Sequence, residues 1–228
     1  MTQDPDAHPL NPLPPVVWLL VAPIVLIELA FGAGARGFVG GSQAVGWRLA
    51  AFQDHAFSGQ VLHWMISTGR YPPDQLMRLV TYPFIHANFT HALFVVVFLL
   101  ALGKMVGEVF RAWAVLAVFF GSAIAGALVY GLLLPEAPPL VGGYPAVYGM
   151  IGAFTFLLWV RLGAVGENRY RAFTLIGFLL GIQLIFGILF GGGRDWVADI
   201  TGFVAGFALS FVVSPGGLAR VRARLRHR

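Results

Sequence analysis

Long apolar stretches of the sequence contain the ionisable side chains of Glu28, His86, His91 and Asp199. Ionisable groups at membrane depth cost about 2.5–3.5 kcal/mol on insertion scales and are therefore candidates for a functional site. His86 and His91 are five residues apart, which on a helix turns them about 140° from each other. They do not form the i, i+4 pair of a zinc protease, and we expect no metal site. The structural alternative is that each side chain reaches interfacial water or hydrogen-bonds a neighbouring helix.

These residues must be positioned by membrane-spanning helices, because the sequence contains apolar stretches of the required length. A spanning helix needs about 20 mostly apolar residues. We expect the first stretch to remain as a helix, since it lacks the positive n-region of a cleavable signal peptide. Six stretches qualify, near residues 13–35, 84–103, 112–134, 146–161, 171–191 and 195–213.

The composition excludes several classes of protein. The 228 residues are 58% hydrophobic and only 11% charged, and the mean hydropathy of +0.78 is too high for a water-soluble domain. The absence of cysteine excludes disulfides, thiolate nucleophiles, zinc–thiolate sites and iron–sulfur clusters. We expect no cofactor.

Basic residues are concentrated at the C-terminal end, although the net charge is only +5. This distribution favours an anionic lipid surface over nucleic acid, because each arginine near an anionic leaflet contributes about 1 kcal/mol. The alternative is a solvated tail that only fixes orientation. The tail arginines are Arg220, Arg222, Arg224, Arg226 and Arg228.

The short loops indicate the orientation of the chain. Those on the side of the basic tail contain Lys104, Arg111, Arg161, Arg169 and Arg171, whereas the other short loops contain only Arg194. With an even number of spans, both termini are expected in the cytoplasm. The predicted organisation is a cytoplasmic leader over 1–12, a membrane domain over 13–213 and a basic cytoplasmic tail over 214–228.

The long connection 36–83 is the one segment that neither spans the membrane nor has low complexity. From Trp47 to Met65 it has an amphipathic pattern that is typical of an interfacial segment, and Pro72-Pro73 ends this pattern. Loops of this length inside a compact membrane protein are usually functional or half-embedded. We therefore predict a partly embedded loop between the first two spans.

Glycines form two patterns in the later spans. Gly202 and Gly206 form a small-xxx-small face in the sixth stretch, and a glycine-rich turn at Gly142-Gly143 opens the fourth, followed by Gly149 and Gly152. Small residues at this spacing allow helices to pack closely in membranes. We therefore expect these glycines to serve helix packing.

In the order of these motifs, the sequence resembles the rhomboid family of intramembrane serine proteases. Members carry His-x-x-x-x-His-x-x-x-Asn in the second span, Gly-x-Ser-Gly opening the fourth and Ala-His-x-x-Gly-x-x-x-Gly in the sixth. Many also hold a Trp-Arg pair in the first loop, which looks like Trp47-Arg48 here. The resemblance implies a six-span, all-α membrane bundle with a long, partly embedded first loop.

Three chemical positions depart from the family pattern. The second-span motif retains His86 and His91, but Val95 replaces the oxyanion-hole asparagine. Tyr144 occupies the nucleophile position and is followed by Pro145 rather than glycine, and Asp199 stands where the general-base histidine is expected. Because a serine protease needs a hydroxyl activated by an imidazole, these changes predict a degenerate site without catalytic residues.

A structural bond could replace the lost dyad. A phenol facing a carboxylate can donate an O–H···O⁻ hydrogen bond. We therefore expect Tyr144 and Asp199 to bond and to tie the fourth span to the sixth.

The resemblance implies a rhomboid-like pseudoprotease, comparable to inactive relatives such as derlins. Its expected partners are transmembrane helices of other integral membrane proteins and anionic lipids, with no nucleic acid and no small-molecule substrate. Two alternatives stay open: an accessory structural subunit of a larger membrane complex, and a residual serine endopeptidase with atypical catalytic residues. The preference for arginine over lysine suggests a bacterial plasma membrane.

Overall fold

The structure is a computed structural model that describes residues 12–190 and 193–217. This part of the chain folds into nine α-helices and contains no β-strand apart from one isolated bridge between Phe57 and Leu140. The helices are α1 (Pro15–Ala35), α2 (Trp47–His55), α3 (Gly59–Thr68), α4 (Pro73–Thr81), α5 (Phe89–Gly107), α6 (Ala112–Leu133), α7 (Tyr144–Ala164), α8 (Thr174–Phe190) and α9 (Trp196–Val213).

Long apolar helices occupy all six stretches that the sequence predicted as spans. Five of them, α1, α5, α6, α7 and α9, are long and apolar enough to cross a membrane. The fifth predicted span is α8, an apolar helix of 17 residues. The predicted class, an all-α polytopic membrane bundle, is confirmed.

The start of the second span was predicted too early, at residue 84. Tyr82–Phe84 forms a short 3-10 helix instead, and α5 begins at Phe89. The side chain of Asn88 accepts a hydrogen bond from the backbone N–H of His91 at 2.9 Å, which caps the first turn of α5. His86 therefore precedes the helix.

The connection 36–83 is folded against the bundle. Its predicted amphipathic segment from Trp47 to Met65 is not continuous, because the backbone of Phe57 leaves the helix to exchange hydrogen bonds with Leu140 at 3.0 and 2.8 Å. Ser58 then caps α3, accepting from the N–H of Val61. The interruption ties the first loop to the segment between α6 and α7.

The centre of the bundle is α7, which packs between α6 and α9. A Cβ added at Gly126 of α6 would lie 2.7 Å from the carbonyl oxygen of Ala198 in α9 and 2.9 Å from Cβ of Pro145 in α7. Backbones this close leave no space for side chains at the contact. The start of α7 is therefore held in a fixed position between its neighbours.

Candidate functional site

The turn before α7 places its backbone directly against the two histidines. Gly142 has φ +92°, in the left-handed region that favours glycine, and its N–H donates to the carbonyl oxygen of Tyr82 at 3.1 Å. A Cβ at Gly142 would lie 2.5 Å from Cε1 of His91, and one at Gly143 would lie 2.8 Å from Cγ1 of Val95. Glycine is needed at these positions for conformation and space.

His86 is completely buried beneath this turn. Its Nε2 accepts a hydrogen bond from the N–H of Gly143 at 3.3 Å, whereas Nδ1 has no hydrogen-bond partner in the described chain. Burial, and next the neighbouring His91, lowers the pKa of His86 from 6.5 to about 3. The imidazole is therefore neutral at pH 7 and serves as an acceptor beneath the turn.

His91 lies between His86 and Tyr144. Its ring meets that of His86 edge-on, with centroids 5.1 Å apart, and the ring of Tyr144 stacks on it at 5.0 Å with an interplanar angle of 16°. Within the described residues, neither imidazole hydrogen-bonds a hydroxyl, and Nε2 of His91 is buried without a partner. Val95 is also fully buried and offers no donor.

Asp199 is buried in the first turn of α9, and its partner is Gln183. Nε2 of Gln183 donates to Oδ2 of Asp199 at 3.2 Å, and the hydroxyl of Tyr148 donates to Oε1 of Gln183 at 3.3 Å. The expected hydrogen bond between Tyr144 and Asp199 is absent from the described part of the chain, so that prediction was wrong. The phenol that takes part in this series of hydrogen bonds, the polar chain Tyr148–Gln183–Asp199, is that of Tyr148, one turn after Tyr144.

A cavity of about 250 Å³ lies between α5, α7, α8 and α9, beside this polar chain. Tyr144, Tyr148, Gln183, Asp195 and Asp199 supply its polar groups. Its apolar wall consists of Phe98, Val147, Ile151, Leu179 and Ile182. The cavity is therefore lined by apolar side chains together with two carboxyl groups, two phenols and one amide.

The four glycines singled out in the sequence all lie at contacts of α7. A Cβ on Gly149 would meet Oγ of Ser122, and a Cβ on Gly206 would meet the carbonyl oxygen of Gly149. The positions of Gly152 and Gly202 are equally tight, against the carbonyl oxygens of Phe203 and Pro145, respectively. These contacts set the distance between α7 and its neighbours α6 and α9.

Arg48 connects the first loop to the buried histidine. Its two Nη atoms donate to the two carboxylate oxygens of Glu28 at 2.8 Å each, and Nη1 also donates to the carbonyl oxygen of His86 at 2.5 Å. The guanidinium lies 4.9 Å from the centroid of the Phe31 ring. The ring of Trp47 lies against Gly34 in the last turn of α1 and against Gly40 in the connection that follows. The Trp47-Arg48 pair thus joins α1, the loop and the site.

Sequence reasoning missed Gln183 and the pairing of Glu28 with Arg48. A glutamine inside an apolar stretch was a usable signal, because polar side chains in membrane helices usually bond across helices. The basic tail residues Arg220, Arg222, Arg224 and Arg226 lie outside the described residues, as does the leader up to residue 11. The predicted domain limits stay predictions.

The amino-acid sequence matches a known protein family. The family model of the rhomboid domain matches residues 73–216. The chain is 33% identical to rhomboid-like protease 3 of Toxoplasma gondii over 138 residues. The matched segment covers 59% of this chain and 51% of that protein. The chain is also 30% identical over 150 residues to rhomboid-like protease 1 of the same organism. This match covers 62% of this chain and 50% of that protein.

A relative named as inactive is also similar. Inactive rhomboid protein 1 of Danio rerio is 28% identical over 146 residues, which are 63% of this chain and 16% of that protein. The chain spans about half the length of the two Toxoplasma proteins that it matches. The matched relatives thus include proteins named as proteases and one named as inactive.

Proposed function

The chain belongs to the rhomboid family, and from this premise we propose that it is a pseudoprotease, which binds transmembrane helices of other membrane proteins without cleaving them. The observation that carries the proposal is the arrangement at the position of the catalytic dyad. Tyr144 stacks on His91 there, and Asp199 accepts a hydrogen bond from Gln183. Neither contact activates a hydroxyl for attack on a peptide bond.

The surroundings of Tyr144 support the same proposal. Val95 supplies no donor to an oxyanion, and the loss of one such donor costs about 10²–10³ in turnover in a serine protease. Pro145 follows Tyr144 and has no N–H to offer beside it. Hydrolysis by the mechanism of the family would therefore lack its nucleophile, its base and part of its oxyanion hole.

The cavity between α5, α7, α8 and α9 is the proposed binding position. Its apolar wall suits the side chains of a transmembrane segment, and the family resemblance implies lateral access at this side of the bundle. Apolar walls with a few convergent polar groups are typical of binding sites. The retained packing around α7 would keep this cavity open while the chemistry has been lost.

We also propose the bacterial plasma membrane as the location, with both termini in the cytoplasm. The support comes from the excess of Lys and Arg in the short loops on one side. The tail arginines would then face the anionic cytoplasmic leaflet and bind its lipids.

Binding can be measured on the protein in nanodiscs with a labelled transmembrane peptide that active rhomboid proteases cleave. We expect saturable binding and no cleavage product. Ile182→Trp places a large ring in the cavity and should weaken binding about tenfold, whereas Ile185→Trp, on an exposed position of the same helix outside the cavity, should leave it unchanged.

Other outcomes would favour the alternatives. Cleavage of the peptide by the natural protein would indicate a residual endopeptidase. Absence of binding, together with a stoichiometric complex of fixed composition after mild solubilisation, would indicate an accessory structural subunit.

A further inference from the structure

A second and larger cavity lies on the other side of α5, against α1. It has a volume of about 510 Å³ and is open along one side. Its walls are apolar and include Ile24, Leu29, Phe89, Ala92, Leu93 and Val96. Leu29 and Phe89 are exposed on the outer surface of the bundle, so the groove opens toward the surrounding lipid.

Charged groups line this α1–α5 groove at two levels. Arg36 directly follows the last residue of α1, whereas Glu28 lies eight residues earlier, about 12 Å along the helix, and is paired there with Arg48. Glu28 is buried, and both of its carboxylate oxygens accept hydrogen bonds from Arg48 in a bidentate ion pair. Arg36 donates to the carbonyl oxygen of Gly32 at 3.1 Å and has no carboxylate partner among the described residues. The end of the groove therefore carries one positive charge without a counterion.

We propose that the α1–α5 groove binds one anionic glycerophospholipid, with an acyl chain along the apolar walls and the phosphate at Arg36. Most of the lining is apolar, the Glu28–Arg48 pair within it carries no net charge, and Arg36 supplies a cation at one end. The volume lies within the range of ligand sites, about 300–1,000 Å³.

A lipid fits this groove better than a transmembrane helix does. A helix would have to present a carboxylate to Arg36 at the edge of the bilayer, and ionisable residues are rare in such segments. Every phospholipid carries a phosphate at that depth. A head group without an ammonium suits the site, because the carboxylate of Glu28 is already paired with Arg48.

The lipid would be a structural ligand of the first loop. Arg48 lines the groove and holds both Glu28 and the backbone of His86, so a lipid along the groove would contact the assembly that supports the buried histidine. The groove is separate from the cavity at Asp199, and the lipid proposal does not depend on client binding.

Native mass spectrometry of the purified full-length protein tests the proposal with three probes: phosphatidylglycerol, diacylglycerol with the same chains, and inorganic phosphate. We expect one phosphatidylglycerol per chain, about fivefold weaker binding of diacylglycerol and no retention of phosphate. Arg36→Gln should lower phosphatidylglycerol binding to the diacylglycerol level. The matched control Arg70→Gln, at an exposed arginine of the same connection, should not change it.

A second pair of variants tests the apolar part of the groove. Ala33→Leu fills the groove and should weaken both lipids, whereas Ala30→Leu, exposed outside the groove one turn earlier, should weaken neither. Melting temperatures of all four variants show that each is folded. Equal phosphatidylglycerol binding by the natural protein, Arg36→Gln and Ala33→Leu would overturn the proposal, as would equal binding of the three probes.

Discussion

The phenol ring of Tyr144 stacks on the imidazole of His91, with ring centroids 5.0 Å apart and planes inclined by 16°. Tyr144 is the first residue of α7, and His91 lies in the first turn of α5. The contact therefore joins the starts of two spans by ring packing. A face-to-face arrangement directs the π surfaces at each other and leaves the hydroxyl at the ring edge.

The stacking predicts that the ring of Tyr144 matters for stability and that its hydroxyl does not. Tyr144→Phe should change the free energy of unfolding by less than about 0.5 kcal/mol, whereas Tyr144→Ala should lower it by about 2–3 kcal/mol. Reversible unfolding in mixed detergent micelles measures both. Equal losses in the two variants would show that the hydroxyl makes the important contact.

The tight backbone contact between α7 and α9 predicts a large effect of one added methyl group. Gly206→Ala places a Cβ against the carbonyl oxygen of Gly149 and should cost about 1–3 kcal/mol. Gly181→Ala is the matched control in α8, because a Cβ there meets nothing within 4 Å. A melting temperature for Gly206→Ala equal to that of the control would refute close packing at this position.

The ion pair of Glu28 and Arg48, whose carboxylate is buried, should contribute more to the free energy of unfolding than an exposed ion pair does. Arg48→Gln should cost about 3–5 kcal/mol, because it leaves the buried carboxylate of Glu28 without compensation. Glu28→Gln should cost less, because the side chain of Arg48 is 27% exposed and keeps its hydrogen bond to the carbonyl oxygen of His86. Arg171→Gln breaks the exposed pair with Glu167 and should cost less than about 1 kcal/mol.

Two readouts distinguish the ion-pair variants from the control. Melting temperatures in detergent report stability, and limited proteolysis reports whether the connection 36–83 has loosened. Similar values for Arg48→Gln and Arg171→Gln would contradict a structural role of the buried pair.

The neutral state of His86 predicts acid sensitivity. Its pKa is about 3 in the folded protein and 6.5 ordinarily, so between these values the unfolded state binds more protons than the folded state. This contribution to stability is complete above pH 6.5 and is lost as the pH falls toward 3. Lowering the pH from about 7.5 to 5 should remove on the order of 2 kcal/mol.

Unfolding of His86→Gln compared with the natural protein measures this loss. The variant should lose less stability on acidification, while His63→Gln, at an exposed position, should follow the natural protein. Parallel pH profiles for the natural protein and His86→Gln would contradict the assignment of the effect to this residue.

Hydropathy was sufficient to predict five helices that can cross a membrane and the apolar helix α8, and motif order was sufficient to predict the family. Span length and apolar content are local properties, so the bounds of α1 and α6 agree with the predicted stretches to within about two residues. The start of α5 was missed because it is fixed by the side chain of Asn88 rather than by hydropathy.

The side-chain partners at the site could not be predicted from the sequence. Motif order places Tyr144 and Asp199 near each other but does not give the rotation of α7, which turns Tyr144 toward His91 and Tyr148 toward Gln183. Glu28 and Arg48 are 20 residues apart, on separate helices, so no periodicity relates them. Their pairing follows from tertiary packing.

Cleavage assays in liposomes test the central claim most directly. A transmembrane substrate of rhomboid proteases is incubated with the natural protein and with a revertant carrying Val95→Asn, Tyr144→Ser, Pro145→Gly and Asp199→His. We predict no cleavage by the natural protein and measurable cleavage by the revertant, because the fold and the route for substrate would be retained while the chemistry is restored. Cleavage by the natural protein would contradict the account.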